Sequence, residues 1–205
     1  VFLRFYLKTG IIDPKIFIDL GFTVRGTIPF SKNEVSLRPL EISNKSKHHE
    51  RKTKRKLNCS ILADEYPDDP SIEALRSLRT SLRFLMSDTS HNLIMISSAN
   101  PSEGKSFITV NLAAVIAQSG KRVIIVDADM RKSYLHRMFG VSSKNGLSDI
   151  LSGTLDIKNS VRETNVKNLY FIPRGDNPIK PSELLMGPNF EMLTKNLSDT
   201  SDLVI

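Results

Sequence analysis

An α/β fold with a mainly parallel sheet flanked by helices is what this sequence predicts, on three observations. Short apolar runs, "LIMIS" (Leu93–Ser97), "RVIIVD" (Arg122–Asp127) and "LYFIP" (Leu169–Pro173), are separated by stretches of helical periodicity. Alternation of that kind is the pattern of strands joined by crossover helices. "RVIIVD" is apolar through its middle, as a strand covered on both faces must be. Finally, a loop carrying Gly and Lys, "SSANPSEGKS", leads from the first run into a helix.

The elements follow in order. "DDPSIEALRSLRTSLRFLM" (68–86) reads as a helix: Asp69 can cap its free N–H groups and Pro70 suits the first turn. Ile72, Leu75, Leu78, Leu82 and Leu85 recur at helical spacing and form its buried stripe. "LIMIS" ends in turn residues and reads as a buried strand. Phe107 to Ser119 is helical and is stopped by Gly120. After the strand at 122–127 come a helix near Ser133–Phe139, another at Leu147–Leu151, the strand Leu169–Pro173 and a helix from about Ser182 to Leu197. "DLVI" (202–205) begins one more strand.

With 205 residues, 40% of them apolar, the chain can bury one real core, and no internal repeat is visible. Three regions separate. Residues 1–31 mix apolar side chains with Gly10, Gly21, Gly26, Pro14 and Pro29, and their opening "VFLRFYL" reads as a short amphipathic piece or the frayed end of a membrane helix. Residues 32–57 are polar, basic and poor in helix or strand pattern, so they read as a linker. Residues 58–205 form the folded domain. The single cysteine, Cys59, excludes an internal disulfide framework and fits a reducing compartment. No run approaches the roughly 20 apolar residues that span a bilayer.

Net charge is +7, but the run "KSKHHERKTKRK" (45–56) sets seven cations against Glu50 alone and so holds +6 of it. The folded part is nearly neutral. Such a run is a solvated tether or a patch drawn to anionic lipid. Nucleic acid ranks last as a partner, because no aromatic residue lies within the run to stack bases.

Ala99-Asn100-Pro101-Ser102-Glu103-Gly104-Lys105-Ser106 matches the phosphate-loop pattern, with Ala in place of the leading Gly. Backbone amides from Ser102 through Phe107 must face phosphate oxygens, and Gly104 supplies the clearance that close approach needs. Lys105 sets a point charge on the β- and γ-phosphates, and the Ser106 hydroxyl binds Mg²⁺. The following helix aims its positive end at the same anions. A plain surface turn is the rival reading, opposed by the strand-to-helix context. "VDADMR" (126–131) places Asp127 and Asp129 two apart at a strand's carboxyl end, where ligands bind in parallel sheets. If the chain stays extended they share one side, one holding the metal's water shell and the other accepting a hydroxyl proton. Alternatively the loop caps the next helix with an Asp. Glu73, Arg76 and Arg79, with Arg83, lie at spacings of three and four along one helix. Taken alone they are a solvated face with a weak Glu73–Arg76 pair of about 0.3 kcal/mol. Arginine forks also suit a neighbouring subunit's carboxylates.

Together these residues resemble the bacterial tyrosine kinases of the polysaccharide co-polymerase type, inner-membrane proteins that control capsular polysaccharide export. "ANPSEGKSFITVNLAAVIAQSGKRVIIVDADMRKSYLH" is similar to that family's Walker A loop, helix and Walker A′ strand, and "EALRSLR" resembles its E-x-x-R-x-x-R motif. "NGLSDILSG" and "FIPRGDNPIKPSELLM" resemble later blocks, and "LGFTVRGTIPFS" resembles the segment after the second membrane helix. The resemblance implies a P-loop NTPase-like fold using ATP and Mg²⁺ to phosphorylate tyrosine. In it Lys105 binds phosphate, Ser106 and Asp127 serve the metal, Asp127 prepares the incoming hydroxyl, Asp129 supports it and Arg131 closes the motif. It also implies a ring built through Glu73, Arg76 and Arg79, the tyrosine-rich tail of a neighbouring subunit as substrate, and a cognate phosphatase and export machinery as partners. It further implies a place at the cytoplasmic face of the inner membrane, with the linker beside the bilayer. Ile205 falls where the family's Walker B strand begins, and Tyr6, Tyr66, Tyr134 and Tyr170 do not cluster, so the expectation is an incomplete and inactive kinase domain. The rivals are a ParA/MinD-like ATPase switch without phosphotransfer and a non-catalytic assembly module. Asn100 stands where partitioning ATPases carry a signature lysine, which favours the kinase branch.

Overall fold

The structure is a computed structural model that describes residues 15–37, 61–87, 89, 91–131 and 133–205. The basic run 45–56, Cys59, Tyr6 and "VFLRFYL" lie outside them. In chain order the helices are α1 (Lys15–Asp19), α2 (Lys32–Leu37), α3 (Leu62–Glu65), α4 (Pro70–Ser87), α5 (Lys105–Gln118), α6 (Leu135–Met138), α7 (Leu147–Leu151), α8 (Ile157–Ser160), α9 (Pro181–Leu185) and α10 (Pro188–Thr200). The strands are β1 (Val123–Val126), β2 (Arg162–Glu163), β3 (Leu169–Ile172) and β4 (Leu203–Val204), in the spatial order β2-β3-β1-β4.

β1 pairs in parallel with β3 on one side and β4 on the other, and β2 adds an antiparallel edge to β3. A strand clothed on both faces has no solvated side, which is why β1 is apolar at every position. Val123 and Ile125 enter the core beneath α4 and α5, while Ile124 enters a second core beneath α7 and α10. α5 is buried from Thr109 through Ala117, apolar all round except Thr109 and Asn111.

Four sequence expectations change. Leu93–Ser97 makes a single parallel bridge, Leu93 to Val204, and only Ile94 and Ile96 pack on the core. Met95 is 83% exposed, so this is a one-sided edge segment and not a buried strand. Leu85 leaves the α4 stripe and Met86 takes its place. At about 100° per residue, Leu85 falls on the far side of the helix from Ile72 and Met86 falls back toward it. The helix expected over 182–197 divides into α9 and α10 at Gly187, because Pro188 cannot donate into a continuing turn. Within the stretch read as linker, residues 32–37 form α2.

Asp69 works harder than a cap. Its Oδ1 accepts from the Ser71 amide at 2.9 Å and the Ser71 hydroxyl at 2.7 Å. Its Oδ2 accepts from the Ser31 hydroxyl at 2.7 Å and from Asn33 Nδ2 at 3.0 Å. Burial opposes the charge, but these hydrogen bonds from Ser71, Ser31 and Asn33 outweigh it and hold the carboxyl below its usual range. The segment before α2 is thereby tied to the first turn of α4.

Gly146 is required by close approach. A Cβ there would lie 2.0 Å from Pro173 O and 2.4 Å from Gly175 N, both backbone atoms that cannot rotate away. Gly146→Ala is therefore expected to cost about 3 kcal/mol and lower the melting temperature by roughly 6–12 °C, read by calorimetry.

Candidate functional site

Because β1, β3, β4 and the Leu93 segment run in parallel, three loops emerge together at the carboxyl edge of the sheet: 98–104, 127–131 and 173–177. Ligands gather at such an edge.

In the first loop, Gly104 has φ +94° and nothing within 4 Å of where a Cβ would stand. This left-handed residue opens α5, whose first four amides have no acceptor within the helix. Ile108 N–H reaches Gly104 O at 2.9 Å, leaving the amides before it directed out of the helix end. Ser102, at φ +65°, provides the other reversal. Lys105 is half-buried, and its Nζ donates to Ser98 Oγ at 3.1 Å, which in turn donates to Asn100 O at 2.8 Å. Ser106 is exposed at the first turn. Phe107 packs its ring on the core. Glu103 points to solvent, where the Asn100 amide donates to it at 2.7 Å and holds its carboxyl below the usual range.

The two aspartates part company. Asp127 is 2% exposed, whereas Asp129 is exposed. The expectation that both share one side fails because the chain does not stay extended. Met130 N–H closes a tight turn onto Ala128 O at 3.0 Å, and Met130 buries its side chain. Asp129 Oδ1 accepts from the Arg131 amide at 3.2 Å. The Asp127 carboxyl accepts from the Ser133 hydroxyl and the Asp129 amide, yet its Oδ2 is buried without a partner. Burial pushes Asp127 up to about 6, above its ordinary 3.8, despite those hydrogen bonds.

At the same sheet edge, the open buried carboxylate oxygen of Asp127 has the chemistry to take a cation, and the phosphate loop's amides and lysine have the chemistry to take a triphosphate. Among the described residues no cluster of three or more His, Cys, Asp or Glu side chains is placed to cage a metal. Mg²⁺ is commonly held by one or two carboxylates together with substrate phosphates, and Ser106 with Asp127 supply donors of that class.

Sequence reasoning missed the third loop. Arg174 lies within reach of Asp127's charge, and its Nη1 donates weakly to Arg131 O at 3.4 Å while its buried Nε has no partner. With Arg131, Ser133, Tyr134, His136 and Arg137 it lines a polar cleft of about 350 Å³. Burial, then the charges of Arg137 and Arg174, hold His136 below its usual range. The available signal was position: Arg174 follows β3 at the edge where ligands bind. That loop is braced by Leu147 N–H on Pro173 O (2.7 Å), Ser148 N–H on Arg174 O (2.9 Å) and Ser148 Oγ on Asp176 O (2.7 Å).

On α4, Arg76 pairs with Glu73, and Arg79 instead donates inward to Val115 O at 3.1 Å.

Comparison with known proteins bears on this geometry. A family model described as ParA, NUBPL iron-transfer P-loop NTPase, matches residues 89–169, which include the phosphate loop and both aspartates. The chain is 40% identical over 205 residues to the tyrosine-protein kinase wzc of Salmonella typhimurium, covering all of this chain and 28% of that protein. It spans about a quarter of the length of the curated relatives it matches. Among solved structures it superposes on the kinase domain of Escherichia coli tyrosine kinase ETK with a TM-score of 0.82 at 37% identity, covering 96% of this chain and 72% of that one. The BceF tyrosine kinase domain gives a TM-score of 0.79 at 38% identity, with 96% and 75% covered. On a shared fold, near-complete overlap and this level of identity, the chain belongs to the family of bacterial tyrosine-kinase domains.

Proposed function

We infer that the protein transfers the γ-phosphoryl group of ATP to tyrosine hydroxyls, on itself or on neighbouring copies, as part of capsular or extracellular polysaccharide biosynthesis and export. The observation that carries this reading is the convergence of Lys105, the Gly104 turn and the partnerless Asp127 oxygen at one sheet edge, in a chain of this family. Amides from Ser102 to Phe107 and the Lys105 ammonium hold the phosphates, where α5's positive end adds its field. Asp127 accepts the tyrosine proton as the new O–P bond forms and the bond to the β,γ-bridging oxygen breaks, releasing ADP. Asp129 and Ser106 support the site from its solvent side, and Arg131 and Arg174 offset charge near the reacting groups. Bound Mg²⁺ supplies charge neutralisation on the phosphates, the larger part of catalysis in phosphoryl transfer. Self-association through Glu73, Arg76 and Arg79 brings a neighbour's tyrosine-rich tail to the site. A phosphatase and the export machinery complete the partner set, at the cytoplasmic face of the inner membrane. Among the described residues no helix is long and apolar enough to cross a membrane. The basic run 45–56, with seven cations against one acid, is the proposed membrane contact, drawn to anionic lipid.

The match to the ParA model supports a second reading, an ATPase switch. Incubation with γ-labelled ATP and Mg²⁺ separates them. Label in phosphotyrosine supports the kinase, free phosphate without phosphotyrosine supports the switch, ATP binding without turnover fits the incomplete kinase domain, and oligomers that bind no ATP leave an assembly module.

A further inference from the structure

We propose that Arg79 is a positioning residue for the phosphate loop, seating α5 from within its own subunit rather than serving only as a contact between subunits. The inference rests on the reading of residues 98–107 as a nucleotide site. α5 carries that loop at its N-terminus and is buried on all sides by mostly apolar contacts, which resist separation but have little direction. Its height along its own axis is therefore set by polar contacts from its neighbours. The Ala63 amide donates to Asn111 Oδ1 at 2.9 Å, Gln118 Nε2 donates to Ala63 O at 3.2 Å, and Arg79 Nη1 donates to Val115 O at 3.1 Å. The first two come from α3 and the third from α4.

The Arg79 bond has a local cause. The last four carbonyls of a helix lack intrahelical partners. Here Ser119 N–H turns to Ile116 O at 3.0 Å and Gly120 N–H to Ala117 O at 2.9 Å, so the chain's own tightening leaves Val115 O open. Arg79 fills it and places a cation at the negative end of α5, the favourable sign. The ten-residue step from Lys105 to Val115 puts this grip about 15 Å from the phosphate loop, beyond a screening length of about 8–10 Å. Its influence on the loop is thus through placement and not through direct charge. A guanidinium has five donors, so gripping Val115 O leaves others for a partner. Arg76, paired with Glu73 on the surface of α4, makes no such bond to α5.

The test compares Arg79→Gln, Arg79→Lys and Arg76→Gln at a dilution where each is monomeric by sedimentation. Affinity for ATP with Mg²⁺ is read by calorimetry, and protection of the Ala117–Gly120 amides by hydrogen exchange. Arg79→Gln is expected to weaken ATP roughly 2- to 10-fold and speed exchange at those amides. Arg79→Lys restores most of both, and Arg76→Gln changes neither. If wild type binds ATP and Arg79→Gln binds it equally well, whether or not exchange quickens or assembly is lost, the inference is overturned. A wild-type protein that binds no ATP overturns the nucleotide reading, and this inference with it.

Discussion

Lys105→Met is expected to weaken ATP binding by about 100-fold or more and to abolish phosphotyrosine formation, while stability stays within about 0.5 kcal/mol of wild type. The asymmetry follows from the environment. Methionine keeps the apolar stem and loses the ammonium. In the folded chain that ammonium makes one hydrogen bond, to Ser98 Oγ, and Ser98 retains its own acceptor in Asn100 O, so little folding energy is at stake. With a triphosphate bound, the same ammonium would face several negative oxygens at the positive end of α5, and its loss would be felt fully. Calorimetric titration with ATP and Mg²⁺, phosphotyrosine immunodetection and a thermal melt check the three parts. Wild-type ATP affinity in the variant would remove Lys105 from the site and take the phosphate-loop assignment with it.

How much of this was legible beforehand depends on the range of the interaction. α7 falls on the residues its periodicity marks, α5 begins two residues earlier than expected at Lys105, and β1 lies inside its apolar run, because local pattern and tertiary burial agree there. Asp69 was legible as a cap, but its bonds to Ser31 and Asn33 cross 38 and 36 positions and follow no spacing rule. The stripe on α4 was read as one surface, yet Arg79 turns inward because a carbonyl 36 residues away lacks a partner. The aspartate pair shows a different limit. Strand periodicity was carried three residues past Val126, to Asp129, but the chain turns there and buries Met130, so that Asp127 and Asp129 have opposite exposure. Arg174 reaches Arg131 and the field of Asp127 only through the fold, from 43 residues away.

The buried carboxyl makes the last prediction two-sided: Asp127→Asn is expected to lower phosphotransfer about 10²- to 10⁴-fold and to make the folded protein more stable at neutral pH. In nucleotide-free protein with chelator present, native Asp127 keeps its proton up to about pH 6, whereas the unfolded chain releases it near 3.8. Between those values the native state binds more protons, so stability falls as pH rises through the window and the loss is complete above it. A gap of about two pKa units sets that loss at no more than about 3 kcal/mol. Asparagine cannot ionise and so escapes it, less whatever its amide costs beside the unpartnered Oδ2 position. The expected gain is therefore about 1–3 kcal/mol at pH 7.5 and close to none at pH 3.5, measured by urea unfolding at both. Wild-type kcat/KM, which reports the free enzyme, should climb through pH 6 as the carboxyl becomes able to take a proton, whereas that of the variant should be flat there. A variant that is no more stable at pH 7.5 would show that Asp127 does not carry the buried charge, and one that keeps the same pH profile would show that it does not receive the tyrosine proton. On the proposed reading, a cation bound beside Asp127 would offset the charge that burial disfavours, so the instability of the empty site would be the counterpart of the reaction assigned to it.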